Sequence, residues 1–482
     1  MLYDILIIIF YSLFFWLSRK NIRTGIYLTL LSLPAYQIRY QIMGLPATLL
    51  EGLIWLLFLA WLIKLHQEKN LSYNPITWIK NVINHQLLVI NNQSLVINKQ
   101  NLIPRSLRLP IMLLLIAATI SVFVSPNLNS ALGIWKAYFV EALLFFIIFV
   151  YNITEIKHLQ QVIRVLGLLT IIIGLFALYQ KLTGDFIPNP FWADAATRRI
   201  TTFFGYPNAN ALLIAPILML TIGNFLTDKK IIFKSFSLLV FVLGILTILW
   251  TKSAGAVIAL AVGLLSIFLI NKKARLKAFF IIIIALIIGF SLPSINKTIF
   301  NNLNSLSYTK LPLNPTDVQL RYQQWKETIR LLKDTPIFGA GLSGYQTLLV
   351  PYHQFPYIEI FMYPHNFSLN FWSETGLLGL ISIIWIVGLF FFYGIKNLKL
   401  APNRVEGFKI DSKFEIQNSK LTISVLSAMI VLLVHGLVDV PYFKNDLSIL
   451  FWVIVGMIII LYQDTRNNQP FGYAQGKQET NK

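Results

Sequence analysis

The sequence predicts an all-α fold, a polytopic transmembrane helical bundle of about 12-13 spans with a large outer loop between the tenth and eleventh. Three observations carry that reading. Of the 482 residues, 56% are hydrophobic and 12% charged, with a mean hydropathy of +0.66, more apolar surface than a water-soluble core can hide. Apolar runs of about 15 to 23 residues recur from end to end, each near the length that crosses the hydrocarbon of a bilayer. The Lys and Arg residues behind the net charge of +20 gather in short segments between those runs. That is the positive-inside pattern of a protein in a lipid bilayer, and it speaks against a nucleic-acid partner. With no cysteine in the chain, disulfides and thiolate metal sites are excluded.

Taken in order, the runs lie near residues 2–18, 24–38, 46–64, 110–126, 132–151, 162–180, 208–226, 234–251, 254–270, 278–292, 372–395, 421–439 and 447–463. The first has no basic residue ahead of it and is followed by Arg19, Lys20 and Arg23. It reads as an anchoring helix with its N-terminus outside, and not as a cleaved signal. Placing 65–109 in the cytoplasm puts the clusters Lys229/Lys230/Lys234, Lys272/Lys273/Arg275/Lys277 and Lys396/Lys399/Arg404/Lys409/Lys413/Lys420 on that same side. The expected organisation is an N-terminal transmembrane hairpin region (1–64), a cytoplasmic loop (65–109), a central bundle (110–292) with an outer loop at 181–207, a large outer loop (293–366), C-terminal transmembrane helices (367–463) and a polar, disordered tail (464–482). Within the large loop, Asp317 to Lys333 contains neither Gly nor Pro and sets Leu320, Trp325, Ile329 and Leu332 near one stripe. That spacing predicts a helix along the membrane surface or capping the bundle, stopped at Asp334-Thr335-Pro336. After Pro364 a further helix is expected to start near His365 or Asn366 and run into the eleventh span.

Candidate chemistry sits at this outer boundary. A histidine at a helix N-terminus is kept neutral by the helix dipole, so His365 can accept a proton from a hydroxyl; an interfacial histidine bonded to backbone is the alternative. Glu374 falls on the opposite side of the same helical wheel, and Gly376 and Gly379 leave room for a neighbouring helix. Arg198 and Arg199 stand in the outer loop ahead of the turn Gly205-Tyr206-Pro207-Asn208. Arg321 stands one turn before Trp325. Guanidinium groups anchor phosphate through their fork of donors, and they also snorkel to lipid headgroups. Arg39, between apolar runs, needs an anion or a cavity. Lys136, Glu141, Lys252, His435 and Asp439 are ionisable groups in or near the spans, the last two spaced to pair across one helical turn. Gly339-Ala340-Gly341-Leu342-Ser343-Gly344 has the G-x-G-x-x-G spacing, but no strand precedes it, so a tight loop re-entry is expected there and not a dinucleotide site. No cluster of residues has metal-ligand spacing.

His365-Asn366, followed after nine residues by Gly376-x-x-Gly379, resembles the signature of the O-antigen ligase family, which also includes O-antigen polymerases. The run Arg199 to Asn210, with its Pro207-Asn208, is similar to the outer-loop segment of that family. Arg321, Trp325 and Pro336-Ile337-Phe338-Gly339-Ala340-Gly341 resemble the arginine helix and Pro-x-x-Gly-x-Gly turn that open its large periplasmic loop. Pro34 to Arg39 and Gly44-Leu45-Pro46 resemble its N-terminal pattern.

The resemblance implies a multi-pass enzyme of the bacterial inner membrane, an O-antigen ligase-like glycosyltransferase. It would move a glycan from an undecaprenyl-diphosphate carrier to an acceptor hydroxyl, on lipid A-core or a related glycan, at the periplasmic face. Inversion at the sugar, without metal, cofactor or nucleotide sugar, is implied as well. His365 would then be the base, Arg321 and Arg199, with Arg39 and Arg198, the diphosphate ligands. A polysaccharide polymerase of the same family and a transporter of inorganic carbon are the other expectations open at this point.

Overall fold

The computed structural model describes residues 2–42, 45–67, 103–270, 316–400 and 412–467. The chain forms α1 (Leu2–Lys20) and α2 (Ile22–Leu31), a 3-10 turn (Leu33–Gln37), and a hairpin of β1 (Arg39–Ile42) with β2 (Leu45–Thr48) in which Arg39 pairs with Thr48. Then follow α3 (Leu49–Gln67), α4 (Arg105–Val124), α5 (Leu128–Ile134), a π turn (Trp135–Val140), α6 (Glu141–Asn152), α7 (Ile156–Thr183) and the short α8 (Pro190–Ala193). The rest is α9 (Pro207–Thr227), α10 (Ile231–Thr251), α11 (Ala254–Ile270), α12 (Asp317–Asp334), the short α13 (Tyr345–Leu349), α14 (Phe367–Leu400), α15 (Ser412–His435) and α16 (Asn445–Asn467). Among the described residues nine helical runs are long and apolar enough to cross a membrane, and the chain is an all-α polytopic membrane protein.

Two details differ from expectation or fall beyond it. The second expected span, 24–38, is instead the ten-residue α2 followed by the 3-10 turn and hairpin. At 1.5 Å per residue such a helix rises only about 15 Å, half of a bilayer's hydrocarbon, and Pro34 prevents its continuation. The expected span 278–292 and the basic cluster Lys272 to Lys277 lie outside the described residues, as do 68–102 and 293–315 of the two long loops.

The centre of the bundle is α16, buried along its whole span, beside α9, which is buried almost as completely. Around them, α9 packs on α10 and α15, and α16 packs on α6, α14 and α15. Between helices in lipid the driving term is close packing, for which small residues are needed. A Cβ on Gly263 would lie 2.2 Å from Val431, and one on Gly223 2.7 Å from Ser424, so α11 and α9 approach α15 there at backbone distance.

α14 is not one continuous helix. Gly376, at φ 69° and ψ −177°, breaks it within the membrane-crossing run, a conformation open in practice only to glycine. A break in lipid frees backbone groups that must find partners. The turn Pro336 to Gly341 supplies them: Leu377 N donates to Ile337 O (2.9 Å), Ala340 N to Ser373 O (2.6 Å), and Trp372 Nε1 to Pro336 O (2.7 Å). The approach is so close that a Cβ on Gly376 would sit 2.4 Å from Ile337 O and one on Gly339 2.3 Å from Trp372 O. The glycine motif is thus a receptacle for a broken helix, the tight re-entry expected of it. Gly376 serves this loop backbone and not a neighbouring helix; Gly379 faces its own Thr375 and, at 3.6 Å, Ala117 of α4.

Candidate functional site

α12 is built locally: Thr316 and Gln319 form a reciprocal capping box, Asp317 occupies the first turn and Lys333 the last, each sign suited to its end of the helix dipole. Arg321, Gln324 and Trp325 follow at the three- and four-residue spacing that shares a face. Trp325 Nε1 donates to Pro364 O (2.8 Å), and Gln324 Nε2 donates to Tyr363 O (2.6 Å). Gln324 Oε1 then meets His365 Nδ1 at 3.2 Å. A carboxamide oxygen only accepts, so Nδ1 carries the proton and Nε2 keeps the lone pair. The helix that bears Arg321 therefore also fixes the tautomer of His365.

His365 itself has φ 46°, a left-handed conformation that costs a non-glycine residue roughly 1–2 kcal/mol and marks an over-determined position. The ring of Phe361 stands edge-on to it at 5.2 Å. Immediately after it, Asn366 caps α14, its Oδ1 accepting from Leu369 N (3.0 Å), while its Nδ2 donates to Leu437 O (3.1 Å). Helix α14 begins at Phe367, so His365 lies just outside it.

The second arginine arrives from the loop between α8 and α9. Arg199 Nε donates to Thr251 O at the end of α10 (2.8 Å), and its Nη2 donates to Asn208 Oδ1 (3.1 Å). Pro207 opens α9, where a missing N–H costs nothing, and sets Asn208 in the first turn. Asn208 Nδ2 in turn donates to Asp439 Oδ2 (3.0 Å), beyond the end of α15. Arg198 points elsewhere: its guanidinium donates to the carbonyls of Ala193, Lys181 and Leu182, the last two at the C-terminal end of α7, a use that satisfies helix-end acceptors.

Arg321 lies within electrostatic reach of both Arg199 and His365. The charge of Arg321 acts on Arg199 and on His365, and Asp317 acts on both as well. Burial holds the His365 imidazole below its ordinary range; the Asp439 carboxylate opposes this, and the Arg321 guanidinium reinforces it. Burial likewise lowers Arg199, with Arg321 acting in the same direction. Among the described residues the Arg321 guanidinium has no hydrogen-bond or ion-pair partner. The Arg321 charge thus acts on an imidazole whose Nδ1 is engaged by Gln324 and which also bonds the backbone of Tyr363.

The other expected residues divide. Glu374, 1% exposed, accepts from Ser343 N (2.7 Å) and so belongs to the loop receptacle. Arg39, exposed at the start of β1, stands by Tyr36 and Tyr138. His435 ends α15 while Asp439 lies past it, so the two do not share a helical turn; the Asp439 charge still acts on His435, and its carboxylate accepts from Asn208. Lys136 pairs with Glu51 (3.0 Å), and Glu141 accepts from Trp55 Nε1 (2.8 Å). Gln324 was not singled out by sequence; its one signal is its place a turn beyond Arg321.

Residues 239–384 match the family model described as O-antigen ligase, a region that includes α12 with Arg321 and the run from His365 to Gly379. An uncharacterized protein of Haemophilus influenzae is 29% identical over 201 residues, which cover 39% of this chain and 50% of the relative. The chain thus matches half the length of that curated relative. With the arginine helix and the histidine signature both inside the matched region, this multi-pass membrane protein is similar to the O-antigen ligase family across residues 239–384.

Proposed function

We propose that the protein is a glycan ligase of the bacterial inner membrane that transfers a glycan from undecaprenyl diphosphate to an acceptor hydroxyl, on lipid A-core or a related glycan, at the periplasmic face. The observation that carries this is Arg321 of α12, a guanidinium with no hydrogen-bond or ion-pair partner among the described residues, whose charge acts on a histidine held through Nδ1 by Gln324. The acceptor oxygen attacks the anomeric carbon while the bond from that carbon to the diphosphate oxygen breaks, with inversion. The hydroxyl proton passes to His365 Nε2, and the electron pair of the broken bond leaves with undecaprenyl diphosphate. Arg321 and Arg199 hold the diphosphate and stabilise the charge that grows on it. Asn208 and Asp439 orient Arg199, and Arg198 fixes the loop that carries it.

A polymerase of the same family would run the same displacement with a carrier-linked glycan as acceptor, so the acceptor separates the two. The test is glycan transfer in membranes with His365→Ala and Arg321→Ala. A loss of about 10²–10⁴-fold for the histidine and about 10²–10³-fold for the arginine is expected. Full transfer by both variants rejects the proposal, and solute uptake into sealed vesicles by the pure protein would replace it with a transporter.

A further inference from the structure

Tyr206, two residues before the Asn208 that holds Arg199, meets a second polar cluster that the transfer chemistry does not use. Lys444, Asn445 and Asp446 open α16, with exposures of 9%, 6% and 1%. Among the described residues Lys444 Nζ, Asn445 Nδ2 and both oxygens of Asp446 are buried without a hydrogen-bond partner. The Tyr36 hydroxyl shares that condition. α16 packs against the 3-10 turn that carries Tyr36 and against the π turn that carries Tyr138, and the Asp446 charge acts on both hydroxyls. Lys444 Nζ stands 3.7 Å from the centroid of the Tyr206 ring. Tyr206 is 39% exposed and lies two residues before Asn208, the ligand of Arg199. Tyr206 thus links the buried cluster to the segment that carries the Arg199 ligand.

Buried polar groups are normally satisfied, and buried charges are normally paired. Here a cation and an anion are enclosed within each other's field without forming a direct ion pair, and neutral donors and acceptors are left over beside them. The chemistry of the set selects the ligand. A phosphate would meet Lys444 well but would face the buried carboxylate of Asp446, which only backbone N–H groups of its own residue and Leu447 approach, so an anion is disfavoured. An apolar chain would satisfy nothing. A polyol donates to Asp446 through one hydroxyl and accepts from Lys444 and Asn445 through another, while its C–H face lies on an aromatic ring.

We propose that Lys444, Asn445 and Asp446, with Tyr36 and the Tyr206 ring, form a sugar subsite that takes the ring hydroxyls of the residue directly attached to the carrier diphosphate. This rests on the diphosphate reading of Arg199 and Arg321, from which the sugar's position follows. The test uses the full chain in nanodiscs and two kinds of probe: bare farnesyl diphosphate, and farnesyl diphosphate carrying N-acetylglucosamine or galactose. For the unaltered protein at least one sugar-bearing probe is expected to bind at least tenfold tighter than the bare one. Lys444→Met and Asp446→Asn should each erase most of that difference and leave the affinity for farnesyl diphosphate itself within about twofold, which also shows that the variants are folded. Equal binding of bare and sugar-bearing probes by the unaltered protein overturns the subsite, as does an equal loss of both probes in the two variants. Arg321→Ala separates the two levels: undiminished binding of farnesyl diphosphate rejects the diphosphate reading and leaves the sugar preference to be scored by itself.

Discussion

Two neighbouring regions of this protein are built from the same kinds of groups and are finished differently. In the receptacle at Gly376, each freed backbone group named above has found a partner: Leu377 N on Ile337 O, Ser373 O on Ala340 N, Glu374 on Ser343 N. Around His365, Gln324 fixes one ring nitrogen, and Arg321 has no partner among the described residues. The first region is complete without a ligand. In our proposal the second is completed by its substrate, and the first holds it in place, because the loop that plugs α14 also joins α12 to the segment ending in His365.

The contrast can be broken from either side. The largest effect belongs to the reactive groups: His365→Ala and Arg321→Ala lose activity by the factors given above, while the stability of Arg321→Ala stays within about 0.5 kcal/mol, since no satisfied contact of Arg321 is removed. A comparable fall in stability would move Arg321 into the structural class. In the receptacle the order is reversed. Gly376→Ala should destabilise the protein by about 1–3 kcal/mol from the forbidden backbone alone, with more from the contact at Ile337 O, and activity should fall only as folded protein is lost. Gln324→Leu sharpens the boundary between the two. It removes the acceptor that fixes the His365 tautomer, and a loss of about tenfold in kcat with little change in KM is expected, against a loss of stability of about 1 kcal/mol.

The smallest effect concerns the loop that leads to His365. His353 Nδ1 lies 3.0 Å from Glu327 of α12, and its Nε2 lies 3.0 Å from Ile358 O. Burial opposes its charge, but the Glu327 carboxylate and the backbone acceptors prevail and raise it above the ordinary 6.5. A raised folded value means the pair stabilises fully below pH 6.5 and is lost as pH rises through that higher value. Thermal unfolding should show a decline of about 1 kcal/mol on that alkaline side, absent in His353→Gln. A flat profile in the unaltered protein would remove the pair as an anchor.

Much of the site was legible because its residues are marked locally. Arg321 one turn before Trp325, Pro207-Asn208 after Arg199, and His365-Asn366 before an apolar run are short patterns, and the Arg321 charge acts on both Arg199 and His365. What joins them was not legible. Gln324 reaches His365 across 41 residues, and Asn208 reaches Asp439 across 231. Such contacts depend on packing that no local spacing encodes. Arg198 and Arg199 are neighbours of the same type, yet the chain direction turns one into the carbonyl end of α7 and the other toward Asn208. The second span misled because composition counts apolar residues and not hydrogen bonds: Pro34 ends the helix, and the chain returns as a hairpin. The break at Gly376 hid within an uninterrupted apolar run, since nothing local distinguishes a glycine that kinks a helix from one that admits a neighbour.

The most direct test of a histidine base governed by the arginine beside it is the acid limb of kcat for glycan transfer as a function of pH. His365 sits below its ordinary 6.5, so the unaltered enzyme should lose activity only below that value. Removing the cation in Arg321→Gln should move the limb of the residual activity to higher pH, and removing the anion in Asp439→Asn should move it lower. A limb that stays fixed in both variants, or that persists unchanged in His365→Ala, would contradict the account.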